Sequence, residues 1–393
     1  MAADITLQQM FRTPTIIGLV SRVRSPLSLF QRFYNLTPGS PAVIRASGRE
    51  LGWDLFDFTR SIAKGRAPMT GPATVSRKAV GHVSAVAYRS HEKLPIPLEE
   101  VARIRPLGGQ IGRVDARGQA YVARQVAFMT QRFQNAREFM ISRMFRGGFG
   151  LSLVGEEYIP VELGAGDFDV DFQLPAANLT DCQLGSGAAI LAGDWQNASA
   201  DIIGQLLELE KAYERVTGRS PRHFWINGTE FGNMLGNTAL QSVGGSAFRV
   251  WDSLNRRELE GSNNPGSLPD TGYDVVFRAM PNYIFHVYNG VLLSDTTGNE
   301  VAYTSAISTS STSLLIPDNK MIITPEPSTE WLGIAEGSEV IQERLNSAPR
   351  EVFGFNAWAT PAIDPPVIEM KMLDNFLPAL FIPRAICYGT ISA

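Results

Sequence analysis

An uninterrupted helical pattern from about Asp115 to Phe145 constrains this chain more than any other feature. Apolar residues fall at Val122, Val126, Met129, Phe133, Ala136, Met140 and Met144, in the steps of three or four that make an amphipathic stripe. No proline breaks the pattern, and Gly147–Gly148 stands where a helix stop belongs. At 1.5 Å per residue the helix is roughly 45 Å long, well beyond the three or four turns of an ordinary one. Such a helix is a spine, and other elements have to be mounted along it.

Charge is divided unevenly about this spine. Residues 1–150 hold 22 Lys and Arg against 9 Asp and Glu, a net of +13, while the remainder holds 13 against 30, a net of −17. The nearly neutral total of −4 hides a basic front and an acidic back. Either a polyanion is the partner, or the front of one chain docks on the back of its neighbour.

Bulk properties narrow the class. A chain of 393 residues, 44% hydrophobic and 19% charged, has enough apolar material for two or three folded domains. Cys182 and Cys387 form no CxxC, which argues against a disulfide framework or a zinc cluster and favours a reducing compartment. The apolar stretch Pro14 to Val20, between Arg12 and Arg22, is too short for a signal peptide. No run approaches the roughly 18 apolar residues of a membrane span.

Along the chain, residues 1–40 read as an arm of short helical pieces with little to pack on, which something else has to hold. Residues 41–95 read as a long β-hairpin. Trp53 and Leu55 alternate with Asp54, Phe56 and Phe58, and the returning arm alternates from Val80 to Tyr88. From Phe58 to His91 there are six basic residues and no acid. An isolated hairpin is marginal in water, so this one should lie on another surface. Residues 147–210 hold no Lys or Arg and 11 acids, with strands expected around Leu151–Glu162 and Phe168–Leu174. A helix at Ala200–Thr217, a strand at His223–Ile226 and a helix at Glu230–Leu235 follow. Further strands are expected at Tyr273–Met280, Ile284–Tyr288, Lys320–Thr324, Val352–Ala359, Val367–Leu373 and Ala385–Ile391. Glu260–Gly272 reads as an exposed loop, and Thr304–Ser313 as a low-complexity tract.

Catalytic signatures are missing. There is no phosphate loop, no GxSxG elbow and no HExxH, and Gly108–Gly112 matches a phosphate loop only loosely. Asp167, Asp169 and Asp171 imitate the start of a calcium loop, but Phe172 and Asn178 stand where it needs Gly and Glu. Period-two spacing places the three aspartates on one face of a strand, solvated or facing a partner. His82, His91, His223 and His286 are scattered and read as structural. No catalytic residue, cofactor site or metal site is expected.

The order of arm, basic hairpin, spine helix, acidic strands, α/β region and returning strands resembles a tailed double-stranded-DNA bacteriophage major capsid protein of the Hong Kong 97-type fold, lambda-like branch. The resemblance is carried by Arg137–Gly148 (REFMISRMFRGG), Asp194–Gly228 (DWQNASADIIGQLLELEKAYERVTGRSPRHFWING), Leu315–Pro325 (LIPDNKMIITP) and Val367–Leu380 (VIEMKMLDNFLPAL). It implies an α+β chain with an N-terminal arm (1–40), an extended loop or E-loop (41–95) and a peripheral (P) domain (96–175, spine helix 115–145). It further implies an axial (A) domain (176–346), with C-terminal strands (347–393) returning to the P domain. It also implies a non-enzymatic structural protein that self-assembles into pentamers and hexamers of an icosahedral shell around phage DNA. Expected partners are other copies, a separate scaffolding protein, a portal, a decoration or cement protein and, nonspecifically, packaged DNA. No membrane is involved; the chain would assemble in the host cytoplasm and end in the virion.

Between subunits, Arg60, Lys64, Arg66, Arg77 and Lys78 of the hairpin are expected to face Glu156, Glu157, Glu162, Asp167, Asp169 and Asp171 of a neighbour. Trp53, Phe56 and Phe58 would add apolar contacts. An encapsulin-like compartment of the same fold is the alternative, and an α/β enzyme a more distant one.

Overall fold

The computed structural model describes residues 13–20, 23, 28–37, 43–57, 80–97, 116–154, 157–161, 163–184, 188–243, 272–277, 280, 282–290, 314–342, 348–362 and 367–392. In chain order the elements begin with α1 (Thr13–Val20), α2 (Leu29–Phe33), β1 (Val43–Ala46), β2 (Glu50–Leu55), β3 (Gly81–Val86), β4 (Tyr88–Pro97) and the spine helix α3 (Ala116–Phe145). Next come β5 (Gly148–Val154), β6 (Glu157–Val161), β7 (Phe168–Asp171), α4 (Ala176–Leu179), α5 (Ile202–Thr217), β8 (His223–Ile226), α6 (Gly228–Gly236) and α7 (Thr238–Val243). The remainder is β9 (Gly272–Val275), β10 (Ile284–Tyr288), β11 (Lys320–Thr324), β12 (Leu332–Ile341), β13 (Arg350–Phe353), β14 (Asn356–Ala362), β15 (Val367–Leu380) and β16 (Cys387–Thr390). Two compact units result: residues 1–51, 85–138 and 334–378, and residues 52–84, 139–333 and 379–393.

The first unit is a sheet with the spine packed on it. Strands run in the order β1-β12-β15-β14, with β13 also on β12 and β4 also on β15. β4 pairs antiparallel with β15 from Tyr88↔Phe376 to Pro97↔Val367. Val122, Val126, Met129 and Phe133, one face of α3, pack with Ile16, Ile96, Ala357, Met370 and Met372. This face is the Val122–Phe133 part of the amphipathic stripe read from the sequence.

The spine also holds the arm. Glu138 is fully buried. Its carboxylate accepts hydrogen bonds from the backbone N–H of Phe30 (2.6 Å) and Gln31 (3.1 Å) and from Gln31 Nε2 (3.0 Å). A carboxylate at the start of α2 satisfies amide groups that have no partner within the helix and complements its dipole. Gln134 Nε2 donates to Val23 O at 3.0 Å, fastening the chain ahead of α2.

The second unit is built on a five-stranded mixed sheet, β16-β11-β8-β10-β9, in which β8 and β10 are parallel. Helix α5 lays Ile202, Leu206, Leu209 and Tyr213 into its core. The sequence marks both ends of α5. Asp201 Oδ1 accepts from Gly204 N at 2.9 Å, and Gly218 closes the helix at φ +74. Asn227 caps α6 in the same way, accepting from Glu230 N. A separate three-stranded sheet, β6-β5-β7, follows the spine.

Several expectations change. Leu151–Glu162 is not one strand but a hairpin, β5 with β6, and Val352–Ala359 is divided into β13 and β14 at Gly354 (φ +57). Only β2 and β3 of 41–95 form a two-stranded sheet; β1 joins β12 in parallel and β4 joins β15. Those flanks have sheet edges to complete, which a hairpin pattern does not reveal. The long strand β12 was not anticipated: LGIAEGSEVI lacks both alternation and a β-branched run, and its burial comes from neighbours on both sides. The Glu260–Gly272 loop, apart from Gly272, and the Thr304–Ser313 tract lie outside the described residues.

Candidate interaction surface

The acid-rich sheet lies in the second unit. Phe149, Leu151 and Val170 are buried beneath it. Phe168, Leu153 and Leu163 are instead 50%, 48% and 42% exposed, three large apolar side chains that face solvent in an acidic setting. Phe168 pairs with Leu151 in the β5–β7 register and Leu153 lies two residues further along β5, so these two share a face.

Asp167, Asp169 and Asp171 are exposed, and each also serves the local backbone. Asp167 Oδ2 accepts from Leu153 N (2.7 Å), Asp169 Oδ1 from Gly164 N (3.1 Å) and Asp171 Oδ1 from Gln173 N (2.7 Å). Three carboxylates are thus held in fixed positions, Asp169 and Asp171 on the face of β7 opposite Phe168. The exposed Phe168, Leu153 and Leu163 were missed in the sequence because alternation assigns a face but not how far along it burial extends: Phe168 and Leu153 share theirs with the buried Phe149, Leu151 and Val170.

The hairpin β2–β3 starts beside this sheet. Trp53 is 3% exposed, donates its indole N–H to Leu380 O (3.0 Å) and lies 6.2 Å from the Phe172 ring. Gln173 Nε2 donates to His82 O (3.1 Å), and Phe56 N donates to Phe381 O (2.7 Å). Trp53 therefore anchors the hairpin within its own chain and offers no surface to a neighbour, whereas Phe56 is half-buried. Arg60, Lys64, Arg66, Arg77, Lys78, Phe58, Glu156 and Glu162 lie outside the described residues; Glu157 opens β6.

Two of the scattered histidines meet. His223 Nδ1 lies 2.9 Å from His286 Nε2, His286 Nδ1 lies 2.5 Å from Asp274 Oδ1, and Trp225 stacks on His286. His223 Nε2 faces Glu326 Oε2 at 3.2 Å, the oxygen that also pairs with Arg222. The parallel register of β8 and β10 is the cause, since it places His223 beside Ile284 and Trp225 beside His286. Burial, reinforced by His286 and Arg222, pushes the His223 pKa down to about 2. A cavity of about 490 Å³ borders this row, lined by Glu210, Arg219, Arg222 and Glu326 among others. Its charges are matched: Arg219 pairs with Glu330, Arg222 pairs with Glu326, and Tyr283 OH donates to Glu210. Among the described residues no group of three or more His, Cys, Asp or Glu could hold a metal, and no helix is long and apolar enough to cross a membrane.

No protein family defined by sequence matches this chain, and no curated protein does. Solved structures do. A protein from a prophage of E. coli CFT073, assigned as its capsid protein, aligns over 99% of this chain and 100% of its own, with a TM-score of 0.56 and 13% identity. The two chains share a fold from end to end. A phage-related protein from Bordetella bronchiseptica RB50 aligns over 96% of both chains, with a TM-score of 0.48 and 10% identity. The procapsid of satellite phage P4, with its size-determination protein, aligns over 93% of this chain and 98% of its own, with a TM-score of 0.41 and 9% identity. Neither of the latter two likenesses reaches a TM-score of 0.5.

Proposed function

We infer that this chain is a phage major capsid protein, a structural subunit with no catalytic role. The observation that carries the reading is the end-to-end likeness in fold to the prophage capsid protein. In this role copies of the chain form hexamers and pentamers of an icosahedral shell that encloses double-stranded DNA. In this reading the chain carries an arm, an extended loop that includes β2 and β3, a peripheral domain and an axial domain. A scaffolding protein, a portal and a decoration protein are its assembly partners, the host cytoplasm is where it assembles, and the virion is where it ends.

The acidic sheet is the receiving surface for the basic hairpin of a neighbouring subunit. Leu153 and Phe168 on one face, with Leu163, supply apolar contacts, and Asp167, Asp169 and Asp171 supply orientation against Arg60, Lys64, Arg66, Arg77 and Lys78. Exposed ion pairs contribute only roughly 0–1 kcal/mol each, so the apolar contacts supply most of the affinity, at about 25 cal/mol per Å² buried. Charge sets register and rate, and repetition over many subunits multiplies small terms.

The test is the content of particles purified from a host that carries the encoding prophage. Nuclease-resistant double-stranded DNA inside shells built of this chain is the expected result. Shells packed with an enzyme instead of DNA would mark a cargo compartment and overturn the reading.

A further inference from the structure

Cys182 and Cys387 are far apart in sequence and meet in the core of the second unit. Both are free thiols with no exposed surface, and both belong to one apolar cluster. Cys387 and Gly389 point to the same face of β16, as residues two apart on a strand do. A Cβ on Gly389 would lie 3.0 Å from Cys182 Sγ, so the Cys182 thiol sits over that face. The segment bearing Cys182 is fastened to β16 on both sides of this point. Asn178 Nδ2 donates to Ile386 O at 2.7 Å, and Thr390 N donates to Asp181 Oδ1 at 3.0 Å. The backbone between is held in an uncommon shape, with Asp181, Cys182 and Leu184 all at positive φ.

We propose that Cys182 and Cys387 are a latent crosslink, a dithiol that stays reduced during folding and closes to an intrachain disulfide when a peroxide oxidant reaches it. One thiol, as thiolate, attacks the peroxide oxygen to give a sulfenic acid, and water leaves. The second thiol attacks the sulfenic sulfur, forming the S–S bond and releasing a second water. Two thiols and one hydrogen peroxide thus yield one disulfide and two waters; the sulfurs are oxidised by two electrons and the peroxide is reduced.

The same surroundings delay the reaction. Burial, with the Cys182 thiol beside it, pushes the Cys387 thiol well above its ordinary range, so little thiolate exists to react while the core is closed. A reducing compartment therefore leaves the pair open, and prolonged exposure to an oxidising one closes it. Closing it ties the Cys182 segment to the last strand across a very long loop, the case in which a crosslink constrains the unfolded chain most. The proposal does not depend on the capsid reading.

The experiment uses the full chain, purified in reductant and then treated with hydrogen peroxide. It is denatured in N-ethylmaleimide and digested without reductant for mass spectrometry. The expected result is a loss of both alkylatable thiols and a Cys182–Cys387 crosslinked peptide from monomeric chains. The thermal midpoint should also rise by about 5 °C, reversibly with dithiothreitol. Cys387→Ser and Cys182→Ala should each abolish the oxidant-dependent rise. Two free thiols after oxidation, sulfinic or sulfonic acid on either cysteine without the crosslink, or dimers joined between chains would each overturn the proposal. The wild-type peptide map decides even if a variant folds poorly.

Discussion

Arg137 is buried on the spine with its guanidinium engaged at both Nε and Nη2 by Asp374, at 2.5 and 2.6 Å, and with Phe376 under its plane at 4.4 Å. Removing one partner of such a pair leaves an uncompensated buried charge, which costs roughly 3–5 kcal/mol. Asp374→Ala is therefore expected to lower the denaturant midpoint sharply, and Arg137→Met with Asp374→Leu to recover much of the loss. His223 makes the opposite choice and stays neutral. Its folded pKa of about 2 lies below the 6.5 of an ordinary histidine, so below pH 6.5 the unfolded chain takes a proton that the folded chain refuses. Its contribution to stability is complete above pH 6.5 and is lost as pH falls toward 2. Unfolding midpoints measured from pH 8 to pH 4 should decline below 6.5, and His223→Gln should flatten that slope while lowering the plateau. An unchanged slope would refute this origin.

At the scale of elements, Glu138 explains how a short arm helix stays in place. Glu138→Ala leaves the amides of Phe30 and Gln31 buried without an acceptor, at roughly 1–3 kcal/mol. Hydrogen exchange at these amides should accelerate at least tenfold while the sheet of the same unit stays protected. The acidic sheet carries the assembly prediction. Phe168→Asp, or charge reversal at Arg60, Lys64 and Arg66, should leave the chain folded and block particle formation at physiological salt. Normal particles from either would remove this surface from the account. The spine, α5 and β8 were legible because local signals mark them: the stripe from Val122 to Met144, Asp201 and Gly218 at the ends of α5, and the apolar run His223–Ile226. The His223–His286 meeting, the Glu138 cap and the exposed Phe168 were not legible, because each depends on the register between distant segments. Trp53 was misread for the same reason: a tryptophan on a basic hairpin looks available, and only the partners Leu380 and Phe172 show that it is occupied.

At the scale of the whole molecule, the proposed use of the asymmetry of +13 and −17 is between copies of the chain. Within one chain the basic front already meets some acids of the back half. Arg45 pairs with Glu336, and both Arg49 and Arg89 pair with Glu339, all in the first unit. The stretch from Arg60 to Lys78 and the acidic β5–β6–β7 sheet are the larger reserves of each sign, and the proposed shell joins them across subunits. Cryo-electron microscopy of the full chain, expressed with the proteins encoded beside it, tests this most directly. Closed icosahedral particles with five-fold and six-fold capsomers are expected, with density for the 60–78 segment against the neighbour's acidic sheet. A monodisperse 43.0 kDa monomer with no particles at any concentration or salt would contradict it.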